Sequence, residues 1–175
     1  MRRNMKFLIA LVFICIATSS NADTSSDISG LEQYKLTFNG LGPFRIGMSL
    51  KEAEATGFKF ELHDEEAESC RQATVKSNPD VRLMFEEGIL TRVEIVGASI
   101  STLSGIRVGF TEAWVRRVYG SRIVVERHQY DQDGHYMKVF SADRKRALVI
   151  ETDGKIVGNF QAGNADSAQY VEGCL

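Results

Sequence analysis

Two stretches of this 175-residue chain repeat one pattern. "FRIGMSLKEAEATG", Phe44 to Gly57, and "IRVGFTEAWVRRVYG", Ile106 to Gly120, both run apolar-Arg-apolar-Gly-apolar-Ser/Thr, then a short helical pattern, then Gly. A second pair follows in the same order. "ESCRQATVKSNPDVRLMFEEGILTRVEIVGA" aligns without a gap on "GHYMKVFSADRKRALVIETDGKIVGNFQAG" when Gly88 is set on Gly154 and Gly97 on Gly163. The first pair is offset by 62 residues and the second by 66. Repeated blocks in a fixed order read as an internal duplication, so any fold must be satisfied twice.

Each block has its own physical logic. The glycine lets the chain turn out of an extended segment. Ser49 or Thr111 then stands as a helix N-cap, accepting from orphan N–H groups. Glu52, three residues after Ser49, completes a capping box. Gly57 and Gly120 are expected to end the helices. Helices of about two turns are unstable alone and must pack on something. In the second, Trp114, Val115 and Val118 are expected to supply the apolar contact, with Trp114 in the core.

"VRLMF-EEG-ILTRVEI" and "ALVIE-TDG-KIVGNF" read as hairpins with glycine-bearing turns. "CRQATVKS" and "HYMKVFSA" precede them, and "RIVVERHQY" adds a further strand to the second half. The expected class is α+β: two tandem units, each a short helix packed on an antiparallel sheet of three to four strands. The expected boundaries are a signal peptide over 1–22, a polar leader over 23–33, a first unit over 34–100 and a second over 101–175.

The N-terminus begins with Arg2, Arg3 and Lys6 and continues into "FLIALVFICIA", Phe7 to Ala17. Ser20 and Ala22 are placed for cleavage before Asp23, the pattern of a secretory signal. The apolar run falls short of the ~20 residues a bilayer span needs. Cys15 lies inside that run after Ile14, so no lipid anchor is read. Loss of the three N-terminal cations moves the formal charge from −2 to −5. A mildly acidic exported chain lacks the basic face that nucleic-acid binding requires. Cys70 and Cys174 then remain, an even number in an oxidising compartment, and are predicted to pair. The bridge would tie the C-terminal "YVEGCL" to the middle of the chain.

"ERHQYDQDGHYMKVF", Glu126 to Phe140, holds two of the three histidines, His128 and His135. The repeat places "DQDG" as a turn between two strands, where Asp and Gly supply turn chemistry. An EF-hand needs glycine at its sixth position and glutamate at its twelfth, and neither fits here. Zinc needs at least three ligands. A site combining His63, His128 and His135 is the alternative to a plain hairpin. There is no Gly-x-Ser-x-Gly elbow and no phosphate-cradling loop. A pair of carboxylates facing across a cleft is not singled out by the sequence. No cofactor or metal is implied. Charge is uneven: eight Lys/Arg against fourteen Asp/Glu from Asp23 to Ile100, ten against nine from Ser101 onward. "HDEEAE" forms an acidic patch and "DRKR" a basic turn.

Gly-Met-Ser, a short helix, Gly, then antiparallel strands resembles the unit of the β-lactamase inhibitory protein fold. "IGMSLKEAEATG" in particular is similar to the helix start of the small lipoprotein family of the outer-membrane assembly machinery. The final "QYVEGC" is similar to uncharacterised exported bacterial proteins. The resemblance implies a tandem-unit fold and exported members that act by binding proteins. It carries over no contact residues.

With three-residue hairpin loops, Val81, Leu83, Phe85, Val93 and Ile95 share the helix-facing side. Arg82, Met84, Leu90, Arg92 and Glu94 then take the opposite side. The matching side of the second unit carries Leu148, Ile150, Ile156 and Phe160, unusually apolar for a solvent face. The candidate protein-binding face is therefore Arg82, Met84, Arg92, Leu148, Ile150, Ile156 and Phe160. The leading function is an exported, non-enzymatic protein-binding module that inhibits an envelope or extracellular enzyme, or gives immunity to one; its partner would be a hydrolase or toxin. The alternatives are an envelope assembly factor binding an outer-membrane component and a carboxylate-dependent hydrolase. No stable membrane insertion is expected, and oligomeric state is not legible.

Overall fold

The computed structural model describes residues 30–63 and 69–174. The signal over 1–22, most of the leader and the acidic run after His63 lie outside the described residues. The leader does not stay polar to its end: Leu31–Gln33 form a 3-10 turn, and Leu31 is fully buried.

The chain then forms β1 (Lys35–Thr37), β2 (Gly40–Leu41), β3 (Phe44–Arg45), α1 (Leu50–Glu54), β4 (Phe60–His63), β5 (Cys70–Val75), β6 (Val81–Glu86) and β7 (Ile89–Ile95). It continues with β8 (Ser101–Thr102), α2 (Glu112–Tyr119), β9 (Val124–Arg127), β10 (His135–Phe140), β11 (Arg146–Thr152) and β12 (Val157–Asn164). The protein is mostly β with two short helices, α+β in class. Eight antiparallel strands form one sheet in the order β4-β5-β6-β7-β12-β11-β10-β9. Its two halves meet at β7 and β12, where Ile95 pairs with Phe160 and Val93 with Ala162. A small second sheet runs β3-β2-β1-β8.

The helix starts follow the sequence. Ser49 Oγ accepts from the Glu52 N–H at 3.3 Å and the Glu52 carboxylate accepts from the Ser49 N–H at 2.7 Å, closing the capping box. Thr111 Oγ1 accepts from the Trp114 N–H at 3.2 Å. Gly120 caps α2 in the left-handed region. Each helix start is stitched to a hairpin. Gly47 N–H donates to Leu90 O, Leu90 N–H to Met48 O and Leu50 N–H to Gly88 O. In the second half Gly109 N–H donates to Val157 O, Val157 N–H to Phe110 O and Glu112 N–H to Lys155 O. Gly109 lies 62 residues beyond Gly47, as the sequence alignment has it, but Val157 lies 67 beyond Leu90. The hairpins therefore correspond at a spacing of 67, not 66.

The turns explain the extra residue. Glu86 pairs with Ile89, so Glu87 and Gly88 form a two-residue turn with positive φ at both positions, the type I′ pattern. In the second hairpin Asp153 N–H donates to Ile156 O around Gly154 and Lys155. Only Gly154 has positive φ there, the type II′ pattern. Gly88 is the second central residue of its turn and Gly154 the first, so the two glycines are not equivalent.

One sheet face packs the main core. It carries Val81, Leu83, Phe85, Leu90, Val93 and Ile95 from the first half, and Leu148, Ile150, Val157, Phe160 and Ala162 from the second, all buried. A buried aliphatic or aromatic side chain contributes roughly 1.5–3 kcal/mol by burial. Ala53 of α1 and Val115 of α2 close the core from the helix side.

Candidate protein-binding surface

The register corrects the sequence-derived binding face. Leu148, Ile150 and Phe160 are core residues, paired on β10–β12 with Val139, Met137 and each other. Setting Gly88 on Gly154 slips the second hairpin by one residue, and a one-residue slip moves every side chain to the other face. Leu90 also turns inward. The first hairpin loop has two residues rather than three, and a bulge at Thr91 restores the parity for Val93 and Ile95 but not for Leu90.

Arg82, Met84 and Arg92 do lie on the outer face, yet most of it is covered. The segment after β12 folds back across it, through a 3-10 turn at Ser167–Gln169. Arg92 Nη1 donates to Tyr170 O at 2.9 Å and to Ser167 O at 3.4 Å. Gln161 Nε2 donates to Ala168 O at 2.7 Å. Ser167 Oγ hydrogen-bonds the Glu86 carboxylate. Ala168 fills a small second core with Tyr136, Ala147 and Val149. At Gly173 the chain passes so close to Gln72 and Arg92 that a Cβ would overlap the Gln72 amide at 2.0 Å. The predicted disulfide then pins the segment: Cys70 and Cys174 are bonded, with Cα atoms 5.5 Å apart. Met84 and Arg92 are consequently buried, and of the three only Arg82 is exposed. Burial pulls the Arg92 guanidinium below its ordinary pKa, opposed by Glu94 and Glu86.

Besides Arg82, Ile156 is the expected binding residue that stays open. Its side chain is 45% exposed, and its backbone bridges Thr111 at the start of α2. Phe110, 37% exposed, and Trp114, 42% exposed, flank the same helix start. The Arg117 guanidinium sits over the Trp114 ring at 5.0 Å from its centroid, a cation–π contact. Trp114 is therefore a surface residue, contrary to the sequence expectation. Val115 and Tyr119, four apart, define the buried stripe of α2, and Trp114 stands one position off it. Trp114 is itself four residues from Val118, which packs on the core from a half-buried position, so spacing alone does not separate the two stripes.

Behind the patch, α2 is locked to the sheet by Glu112. Its buried carboxylate accepts from Thr152 Oγ1 at 2.6 Å, His135 Nδ1 at 2.8 Å and Arg116 Nε at 2.9 Å. Burial pushes this carboxyl up, but the bonds from Thr152, Arg116 and His135 outweigh it and hold the pKa below the ordinary value.

The His–Asp stretch is the β9–β10 hairpin. His128 Nδ1 accepts the N–H groups of Tyr130 at 3.1 Å and Asp131 at 2.9 Å, so its proton sits on Nε2 and is donated to Glu151 at 2.8 Å. The ring stacks on Tyr136. His63 lies on β4, at the opposite edge of the sheet from this hairpin, so the three histidines are not brought together. Among the described residues no group of three His, Cys, Asp or Glu side chains could hold a metal ion, and no helix is long and apolar enough to cross a membrane.

Neither a protein-family model nor a curated protein matches the sequence. The fold is similar to the crystal structure of the uncharacterized protein yfeY from Escherichia coli, with TM-score 0.50 and 8% identity over 74% of this chain and 99% of that one. An extracellular protein containing a SCP domain, from Bacillus anthracis str. Ames, matches with TM-score 0.33 and 10% identity over 70% of this chain and 39% of that one. The first likeness is one of fold alone.

Proposed function

We propose that the chain is an exported, non-enzymatic protein-binding module that inhibits an envelope or extracellular enzyme, or gives immunity to one. The observation that carries this reading is the set of three exposed apolar residues around the α2 start, Phe110, Trp114 and Ile156, with Arg117 on the Trp114 ring. Aromatic residues and Arg are enriched at the energetic centres of interfaces. The Glu112 network fixes the helix start that presents them, so little ordering is needed on binding. We also read the two halves as copies of one ancestral unit, supported by the same three stitching hydrogen bonds at each helix start. The Cys70–Cys174 bond agrees with an exported chain. The non-enzymatic reading rests on the carboxylates of the outer face: Glu126 is paired with Lys138 and Glu151 hydrogen-bonded by His128.

The test is capture with the oxidised chain from Asp23 to Leu175 against secreted hydrolases and toxins, read by stoichiometry and by loss of the target's activity. Trp114→Ala is expected to weaken a recovered complex about 30-fold, as for a residue contributing ~2 kcal/mol. Inhibition unaltered by both Trp114→Ala and Ile156→Ala would remove the patch from the mechanism. Recovery of outer-membrane barrel components alone would favour the assembly reading.

A further inference from the structure

The outer sheet face carries a cleft remote from the Trp114 patch. It lies between the C-terminal segment and the β9–β10 hairpin, and it holds about 300 Å³. Its lining includes Glu126, Gln129, Tyr136, Glu151, Gln161 and Tyr170. The hydrogen bonds already made leave a defined set of groups facing it. Lys138 spends two of its three N–H donors, on Glu126 Oε2 at 2.6 Å and Gln169 Oε1 at 3.1 Å. Glu151 uses Oε1 for His128. Gln161 uses its amide nitrogen on Ala168 O. The Tyr136 oxygen accepts from the Gln129 N–H at 3.5 Å and keeps its own O–H.

What remains is one oxygen each on Glu126, Glu151, Gln129 and Gln161, with the Tyr136 O–H, the third Lys138 N–H and the second amide N–H of Gln129 and of Gln161 as donors, beside the Arg127 guanidinium. Acceptors and donors thus share one small space. The charged residues of the lining balance, Glu126 and Glu151 against Lys138 and Arg127, so the lining carries no net charge. A ligand suited to this set donates and accepts at each polar atom and carries no net charge. Vicinal hydroxyls do this. The Tyr170 ring, 42% exposed at the lip, adds an apolar face for the C–H side of a sugar ring. The volume is at the small end of the ~300–1,000 Å³ range of small-molecule sites, fitting one or two rings.

We propose that this cleft is a binding site for the hydroxyl-rich face of a short neutral glycan, independent of the protein-binding patch. The experiment is an amide NMR titration of the oxidised chain with maltose, cellobiose and chitobiose in turn, and with spermidine as a cationic probe. At least one disaccharide is expected to give saturable shifts at Tyr136, Gln161 and Tyr170. Tyr136→Phe, which removes the O–H donor together with the long contact from the Gln129 N–H and leaves the ring packing, is expected to weaken binding about five-fold, as for one net hydrogen bond. Glu151→Gln is expected to do the same, and Gln129→Ala serves if that variant does not fold. Trp114→Ala is expected to leave the shifts unchanged, which separates this site from the patch. The proposal is overturned if none of the three sugars gives saturable shifts, if only spermidine does, or if Tyr136→Phe binds as tightly as the parent.

Discussion

Phe160→Ala set beside Ile156→Ala tests the sheet register directly. The two residues sit four apart on one hairpin, and the sequence reading placed both on an open face. In the structure Phe160 is fully buried, paired with Ile150 and Ile95 across its two neighbouring strands, whereas Ile156 is a turn residue just under half exposed. Removing a buried phenylalanine side chain costs ~3–5 kcal/mol, transfer plus cavity. That is a large share of a stability of ~5–15 kcal/mol. Ile156→Ala loses only the covered part of its surface and should cost about 1 kcal/mol or less. Urea unfolding followed by circular dichroism reads both. With a mid-range slope of ~2 kcal/mol per molar, Phe160→Ala should lower the midpoint by about 1.5–2.5 M, and Ile156→Ala by about half a molar or less. Equal shifts, or a larger shift for Ile156→Ala, would refute the register.

Two further outcomes follow from the covalent tie and the buried carboxylate. The joint change Cys70→Ser and Cys174→Ser opens a loop of sequence separation 104, for which loop entropy gives ~4–5 kcal/mol and a melting-temperature fall of about 8–20 °C by calorimetry. A fall under about 3 °C would mean that Arg92 and Gln161 hold the segment unaided. Because the folded pKa of Glu112 is depressed, its contribution is complete above the ordinary glutamate pKa and is lost as pH falls through the lower folded value. Glu112→Gln should therefore destabilise at neutral pH and flatten the acid side of the stability–pH curve; curves differing only by a constant would rule out this linkage.

The local chemistry was readable in advance because it depends on few residues. Ser49 with Glu52, Thr111 as a cap, the "DQDG" turn and the cysteine pair each need only neighbours or a count. The register was not, because turn type decides which central residue must be glycine. A type I′ turn takes left-handed residues at both positions and tolerates Glu87 beside Gly88, while a type II′ turn asks for glycine only at the first. Aligning glycine on glycine is then wrong by one residue, and in a sheet that error reverses inside and outside. The covering of Met84 and Arg92 was also hidden, since it depends on where the tail lies rather than on which cysteines pair.

Once the spacing of 67 is used, the least expected residue gains a reason. Leu50 and Phe85 of the first half correspond to Glu112 and Thr152 of the second, and in the first half both are apolar and join the core. The second half has at both positions a polar residue instead, a carboxylate and a hydroxyl that bond each other at 2.6 Å. Either change alone would leave a buried polar group without its partner, a cost of ~1–3 kcal/mol or more for a charge. His135 and Arg116 satisfy the remaining capacity of the carboxylate, so the exchange is complete in itself. A polar lock of this kind is directional where an apolar contact is not. It fixes the rotation of α2 against the sheet, and that rotation is what holds Trp114 out of the core.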